Sequence, residues 1–320
     1  MAGRNSYSKI KRKRPIKKLR NILMFEKETI NFYQKLKEEE LKNPGAWTYS
    51  PVETWKIDYF LDNLNENNLK NFRRTSLSAG LISFPDRPLK YKSGLLNPWI
   101  KGLPLWQKIR GIRDIGVELL RMRKKIDFKF SDIKDNLVGN PCYYKLGRTN
   151  ITDFAIRMCF YSKYLKKEFS NIGNVLEIGG GFGGLCQELL SSPELNIKKY
   201  VLVDLPESLA LTYYYLMNSQ CKKDRFIILP PWELAKTDNS FDLLVNTMSF
   251  QHMSKENINY YFSEIERLNI KNLFLVNRDT VRDPSDVKIS DYPIPSKYRL
   301  VKQDNYPFSR HLIKIYSSFK

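Results

Sequence analysis

Histidine is almost missing from this chain: 320 residues contain only His252 and His311. Cysteine is scarce as well, with Cys142, Cys159, Cys186 and Cys221 far apart and no CxxC pair. That spacing argues against a zinc site, which gathers its ligands in close pairs. Cys159 and Cys186 fall in apolar patterns and read as small buried hydrophobes in a reducing compartment. No run of about 18 apolar residues occurs, so no membrane-spanning helix is expected. The basic N-terminus has no apolar segment behind it, unlike a secretory signal. The expected location is the cytoplasm. Acid is what the first half lacks. Residues 1–150 hold 32 Lys+Arg against 15 Asp+Glu, while the rest of the chain is nearly balanced. Anionic partners are therefore expected of the N-terminal half.

The basic excess starts at once. Residues 1–20, MAGRNSYSKIKRKRPIKKLR, carry nine Lys/Arg and no acid. Like charges so dense repel one another, so residues 1–22 read as a mobile tail. Its candidate roles are peripheral contact with an anionic membrane, contact with nucleic acid, or a handle for anionic substrate. A solvated tail without a role is the bland alternative. Residues 23–138 read as a mostly helical region, with helices over 24–42, 52–74 and 105–126 and a Pro/Gly-punctuated loop over 83–104.

From residue 139 onward the pattern changes. ITDFAIRMCFYSKYL places Phe154, Met158, Tyr161 and Leu165 on one helical stripe, capped by Thr152 or Asn150. Then NVLEIGG, KYVLVDLP, RFIILPP, FDLLVNTM and NLFLVNR follow as short apolar runs, with helices expected over 184–191, 206–219 and 254–268. Apolar strands alternating with helices predict an α/β domain over 139–320. Its parallel sheet would be covered on both faces. YRLVKQD and HLIKIYSS add a terminal hairpin at one edge, where His311 is expected to be structural.

The stretch VLEIGGGFGGLCQELL packs five glycines into positions 179–184. A glycine turn after the first strand lets a ligand reach the backbone at a helix N-terminus. Gly179, Gly181 and Gly184 satisfy G-x-G-x-x-G, a weak dinucleotide signal taken alone. Glu177 shifts the balance, because it also gives E-x-G-x-G-x-G through Gly179, Gly181 and Gly183. A carboxylate there would repel a pyrophosphate. It would favour a cationic ligand such as S-adenosyl-L-methionine, directly or through loop amides and water. Asp204 ends the second strand, where an ionised carboxylate can accept both ribose hydroxyls.

These residues resemble the class I S-adenosylmethionine-dependent methyltransferases. More narrowly, the chain is similar to a family of sugar O-methyltransferases. GNP at 139–141, EIGGGFGGLCQELL at 177–190, YVLVDLPESLALTYYYL at 200–216 and FDLLVNTMSFQHM at 241–253 carry the resemblance, which spans roughly residues 139–280. The glycine motif is specific only to the superfamily, and VDLPESLALTYYYL is the more family-like piece. The resemblance implies a Rossmann-like fold and O-methyl transfer to a sugar hydroxyl of a glycan or nucleotide-sugar. It places Glu177, Gly179, Gly180, Gly181 and Gly183 at the methionine end. Asp204, with Leu205 beside it, would hold the ribose, and Pro231 and Trp232 of LPPW would wall the adenine.

Methyl transfer from a sulfonium to a hydroxyl needs positioning and a proton acceptor. VNTMSFQHMS follows the fourth strand, where the acceptor must approach. Asn246 suits the methionine moiety or the substrate. His252 suits the general base, because an unperturbed imidazole has its pKa near neutrality, with Asp279 as the next candidate. Arg278 and Asp279 would bond sugar hydroxyls or pair with each other. Tyr143, Tyr144 and Arg148 are further substrate-side candidates. No carboxylate cluster points to a metal. Three alternatives stay open: a nicotinamide oxidoreductase using the same glycines, a nucleic-acid methyltransferase, and a catalytically silent binding protein of this fold. LPPW resembles the D/N-P-P-Y/W motif of amino-group methyltransferases. Leu229 stands where those need an acceptor, which disfavours nucleic acid as substrate.

Overall fold

The computed structural model describes residues 16–45, 64–73, 105–141, 143–146, 149–192, 194–238, 240–281 and 286–319; for 16–24, 105–112 and 144–146 it describes the backbone only. Helices α1 (Ile16–Lys42), α2 (Glu66–Lys70) and α3 (Leu105–Arg123) come first, then a small hairpin of β1 (Tyr144–Leu146) and β2 (Thr149–Ile151). After α4 (Asp153–Glu168) the chain alternates: β3 (Asn174–Ile178), α5 (Gly184–Ser191), β4 (Lys199–Val203), α6 (Pro206–Asn218), β5 (Phe226–Leu229), α7 (Pro231–Leu234), β6 (Leu243–Thr247), α8 (Lys255–Arg267) and β7 (Asn272–Arg278). Strands β8 (Tyr298–Asn305) and β9 (His311–Ser318) close it.

The seven-stranded sheet has the order β5-β4-β3-β6-β7-β9-β8. The first five strands in that order are parallel, and the β8–β9 hairpin adds antiparallel at the β7 edge. This is the Rossmann-like α/β sheet with a terminal hairpin that the apolar runs predict. From β3 the chain builds outward through β4 and β5, then returns to lay β6 on the other side. That reversal opens a crevice at the carboxyl ends of β3 and β6. Each sheet face buries its own apolar cluster. Val175, Tyr200, Leu202, Val245 and Phe274 lie under α4–α6, and Leu176, Val201, Leu244 and Leu273 lie under α8. Burying both faces is what makes these strands continuous apolar runs.

Local chemistry explains the helix ends. Thr152 caps α4 by accepting from Ala155 N at 2.9 Å, so it rather than Asn150 is the cap. Pro206 sits in the first turn of α6, with Glu207 beside it. Cys159 and Cys186 are buried free thiols, and burial pushes the Cys159 thiol up to about 12.

Two N-terminal expectations change. Helix α1 starts at Ile16, inside the basic block, because Ile16, Leu19 and Leu23 keep helical spacing through the charged run. Within 52–74, Glu66–Lys70 is the helix among the described residues, begun by Asn65 accepting from Asn68 N at 2.9 Å. Residues 52–63, residue 74 and the loop over 83–104 lie outside the described residues.

The N-terminal region is keyed into the sheet domain. Helix α1 runs antiparallel to α6, burying Glu26, Thr29, Tyr33 and Leu36 along one stripe. Phe32 stacks on Tyr213 at 5.0 Å. Phe72, fully buried, meets Phe182 of the glycine turn at 5.3 Å. Its ring fills the space a Cβ on Gly139 would need, 2.3 Å away, which accounts for the glycine of GNP. Arg73 makes a buried two-pronged bond to Asp135 at 2.7 and 2.8 Å, and Thr152 adds its hydroxyl to the same carboxylate.

Candidate active site at the carboxyl rim

The turn after β3 is shaped by close packing. Gly179, Gly181 and Gly183 have φ of 74°, 58° and 82°, the left-handed region that side chains disfavour. A Cβ on Gly179 would lie 1.8 Å from Ser249 Oγ, so the turns after β3 and β6 touch at the crevice floor. The loop is held from several sides. Gly179 N donates to Val203 O at 2.8 Å, Thr212 Oγ1 donates to Gly181 O at 2.6 Å, and Gly181 N donates to Asp204 Oδ2 at 2.7 Å.

Asp204 thus clamps the glycine turn to the end of β4. Its other oxygen accepts from Leu205 N at 2.8 Å, and the Ser208 hydroxyl adds a third donor. A carboxylate offers about four lone-pair directions, so capacity is left for an incoming hydroxyl. Asp204 is half-buried. Desolvation raises its carboxyl to about 7 against the pull of those three donors. Glu177 lies beneath the turn rather than in the crevice. It is 1% exposed, and Oε2 accepts the Tyr200 hydroxyl at 2.9 Å. The same oxygen would stand 2.7 Å from a Cβ on Gly180, so Gly180 is what lets the turn sit on the carboxyl. Burial raises Glu177 to about 8, eased by Tyr200 and reinforced by Asp204.

Beside Asp204, β5 ends and α7 begins. LPPW is a helix start with Pro231 in the first turn, and Tyr260 donates to Pro231 O at 3.3 Å. Trp232 is 7% exposed, and its indole Nε1 is buried with no hydrogen-bond partner among the described residues. An orphaned N–H of this kind is costly unless a ligand or water accepts from it.

The β6–β7 half of the rim is organised differently. Asn246 is fully buried and its amide is engaged at both ends: Nδ2 donates to Ile178 O at 2.8 Å, and Oδ1 accepts from Asn277 Nδ2 at 2.8 Å and Phe250 N at 3.2 Å. The side chain expected to touch a ligand braces β3, β6 and β7 instead. Gln251 continues the network, accepting from Arg278 N at 2.9 Å. With Oε1 so used, its Nε2 is the donor to His252 Nε2, 3.1 Å away. His252 itself is exposed, on the turn just after β6.

Arg278 and Asp279 do not pair with each other. Arg278 is 4% exposed and bonds Asp286 at 3.2 Å, while Asp279, exposed, accepts from Ser290 N at 3.1 Å. Their side chains part because Arg278 is the last residue of β7 and turns inward, while Asp279 begins the loop. The buried ion pair leaves Arg278 closed to a sugar. Tyr143 is half-buried ahead of β1, the Tyr144 side chain is not described, and Arg148 lies outside the described residues. Among the described residues no His/Cys/Asp/Glu group is placed to hold a metal, and no helix is long and apolar enough to cross a membrane.

Several residues that build this rim carried no sequence signal. Tyr200 sits mid-strand and reads as core. Thr212 sits mid-helix, and Ser249 becomes significant only where it meets Gly179. Gln251 and Asn277 are ordinary polar residues until the strand register brings them to Asn246 and Arg278.

No family model matches the chain, and no curated protein is similar to it in sequence. Among solved structures it is similar to magnesium protoporphyrin IX methyltransferase from Synechocystis PCC 6803 with bound SAH, at 12% identity, covering 65% of this chain and 98% of that one, with a TM-score of 0.41. It is also similar to the methyltransferase domain of a bacterial Hen1, at 12% identity, 50% and 97% coverage and a TM-score of 0.39. An rRNA methylase from Escherichia coli follows at 12% identity, 52% and 69% coverage and a TM-score of 0.35.

Proposed function

We propose that the chain is an S-adenosylmethionine-dependent O-methyltransferase acting on a sugar hydroxyl. The observation that carries the cofactor reading is Asp204. It fixes the glycine turn through Gly181 N at 2.7 Å and keeps accepting capacity at the mouth of the crevice. Ribose hydroxyls are donors and suit it. The buried Trp232 N–H, three residues past β5, suits an adenine ring nitrogen. Two carboxyls stand at the turn, Glu177 beneath it and Asp204 beside it, and once ionised they favour a ligand of net positive charge over a pyrophosphate. That disfavours a nicotinamide dinucleotide.

S-adenosylmethionine, when bound, supplies a methyl group already activated on a sulfonium. The protein's residues then have two tasks, to orient the acceptor oxygen and to take its proton. His252 is the group on this rim suited to the proton. Its Nε2 accepts from the Gln251 amide at 3.1 Å, a bond that an acceptor hydroxyl would have to replace. Asp279, exposed just past the end of the neighbouring strand β7, is the second candidate. The sugar acceptor rests on the resemblance across residues 139–280, and Tyr143 is compatible with a carbohydrate without demanding one.

Calorimetry tests the cofactor: S-adenosylmethionine and its demethylated product bind and NAD does not. Tight NAD binding without S-adenosylmethionine binding refutes it. Labelled-methyl transfer tests the acceptor, with hexose- or deoxyhexose-containing acceptors labelled in preference to RNA, DNA and protein. Robust labelling of RNA alone overturns the sugar reading and leaves the cofactor reading standing.

A further inference from the structure

Between Gly181 and Gly183 the glycine turn carries one large side chain, Phe182, which is buried. Among the described residues, four groups box its ring. Phe154 meets it at 4.5 Å, Tyr215 at 4.8 Å and Phe72 at 5.3 Å, and the Arg73 guanidinium lies over it at 5.4 Å. Tyr215 comes from α6 and Phe154 from α4. Phe72 and Arg73 come from just past α2, outside the strand–helix alternation that builds the sheet. The same N-terminal region also grips the start of α6, three residues past Asp204. There Tyr33 and Lys37 of α1 bond Glu207 at 3.0 and 3.2 Å.

Arg73 is held firmly where it meets the ring. Both it and Asp135 are buried, and the fork between them closes at 2.7 and 2.8 Å. Asp135 is fixed in turn by Leu137 N at 2.8 Å and by the Thr152 hydroxyl at 2.7 Å. A planar guanidinium bound edge-on to a carboxylate keeps its flat face for aromatic rings. Phe154, 5.1 Å from the guanidinium, takes part of that face, and Phe182 takes part. Phe154 also braces the end of the turn, since a Cβ on Gly184 would lie 1.9 Å from its Cζ. Gly181 and Gly183, at φ of 58° and 82°, supply freedom rather than a fixed shape. The packing of the side chain between them therefore selects the shape. Gly181 N, one residue before Phe182, is the donor that holds Asp204 at 2.7 Å.

We infer that Phe72 and Arg73 are positioning residues for the ligand held at the glycine turn. Through Phe182 they set the turn, and with it the places of the Gly181 N–H and the Asp204 carboxylate. The helical N-terminal region is then a working part of the ligand site. The inference rests on the proposed reading of this turn as the ligand site, and not on the ligand being S-adenosylmethionine.

Arg73→Lys tests it, because lysine keeps the charge facing Asp135 and loses the fork and the flat face. In the ligand-free chain, hydrogen exchange at the amides of residues 181–183 should rise by about tenfold, with β3 and β4 as protected as in wild type. Calorimetry well below the melting temperature should show S-adenosylmethionine and its demethylated product bound about tenfold more weakly, with kcat at saturating donor within about twofold of wild type. Phe182→Leu should weaken binding alike. The double variant should bind no more weakly than either single one, because both changes act through one ring. Phe72→Leu takes the place of Arg73→Lys in every comparison if that variant does not fold. Unchanged exchange at the turn overturns the inference. So does wild-type affinity in the single variants, or losses that multiply in the double one. A wild-type chain that binds NAD instead refutes the proposed cofactor, and NAD then becomes the probe for the same comparison. If the wild-type chain binds neither, the proposed function fails and the exchange comparison alone decides the inference.

Discussion

Around the glycine turn, every hydrogen bond that holds the loop has a peptide group of the turn on one side. Gly179 donates to Val203, Gly181 donates to Asp204, and three residues hold positive φ. Around the ends of β6 and β7 the same work is done by side-chain amides, with Asn246, Asn277 and Gln251 linking Ile178, Phe250 and Arg278. In the first half the glycines let Ser249 and Glu177 pack directly against the turn. The second half turns its polar groups inward. It leaves His252 and Asp279 exposed at its edge. Under the proposed function the first half would hold the methyl donor, and the second, with its rigid amide floor, would meet the acceptor at its exposed edge.

The exposed edge is where the largest effect is expected. His252→Ala should lower kcat by about 10²–10⁴-fold, the range for a positioned base. It should leave folding stability within about 0.5 kcal/mol, since the residue is at the surface. Single-turnover rates, thermal melts and calorimetry check this together. S-adenosylmethionine affinity should hardly change. A kcat and pH profile like wild type would move the base to Asp279 or leave positioning to account for the rate.

The backbone-built half breaks differently. Gly179→Ala places a Cβ against Ser249 Oγ and Cβ, at 1.8 and 2.3 Å, on a residue with φ of 74°. Overpacking and left-handed strain together should cost about 2–5 kcal/mol. Adding Ser249→Gly removes the clash but not the φ, so the double variant should recover part of the loss. Denaturant melts of the four chains in the cycle measure it. Full recovery would show that only the contact matters, and none would show that only the dihedral does.

This contrast also explains what could be read from the sequence. Glycine density, an acidic residue before it and Asp204 after a run of apolar residues are local signals, so the parallel sheet, its terminal hairpin and the glycine turn are all legible. Asn246 stands at the strand end the pattern predicts, with its amide turned to neighbouring strands. Whether an amide at a strand end faces a ligand or a neighbouring strand depends on Asn277 and Ile178, which are 31 and 68 residues away. Arg278 misled for the same reason, since Asp286 rather than adjacent Asp279 is its partner. The helix start at Ile16 was hidden by charge, which masked the apolar spacing beneath it.

Asn246→Ala tests that lesson directly. It strips Asn277 Nδ2 and Ile178 O of their buried partner, and should cost about 1–3 kcal/mol of stability. Affinity for S-adenosylmethionine, measured on the folded fraction, should stay near wild type. A large loss of affinity with unchanged stability would return Asn246 to the ligand and weaken the contrast between the halves.

The smallest effect is expected from pH, and it tests whether the first half awaits a cation. Glu177 at about 8 and Asp204 at about 7 both stand above ordinary carboxyl values, chiefly through desolvation. A carboxyl raised in the folded state stabilises the fold below its unfolded pKa, and that contribution is lost as pH rises through the folded value. The ligand-free chain should therefore lose stability from these groups as pH climbs from about 5 towards 8. Asp204 keeps an edge to solvent, so Glu177 should contribute more. A positively charged ligand over the turn favours both ionised forms, so its binding should release protons. Affinity for S-adenosylmethionine should then tighten between pH 6 and 8 by on the order of tenfold, near 1.4 kcal/mol. Calorimetry in buffers of different ionisation enthalpy counts the protons. Glu177→Gln should flatten the pH dependence and raise the melting temperature of the ligand-free chain at pH 8. An unchanged slope in that variant, or proton uptake on binding, would show that the buried carboxyl holds the loop without sensing the charge of its ligand.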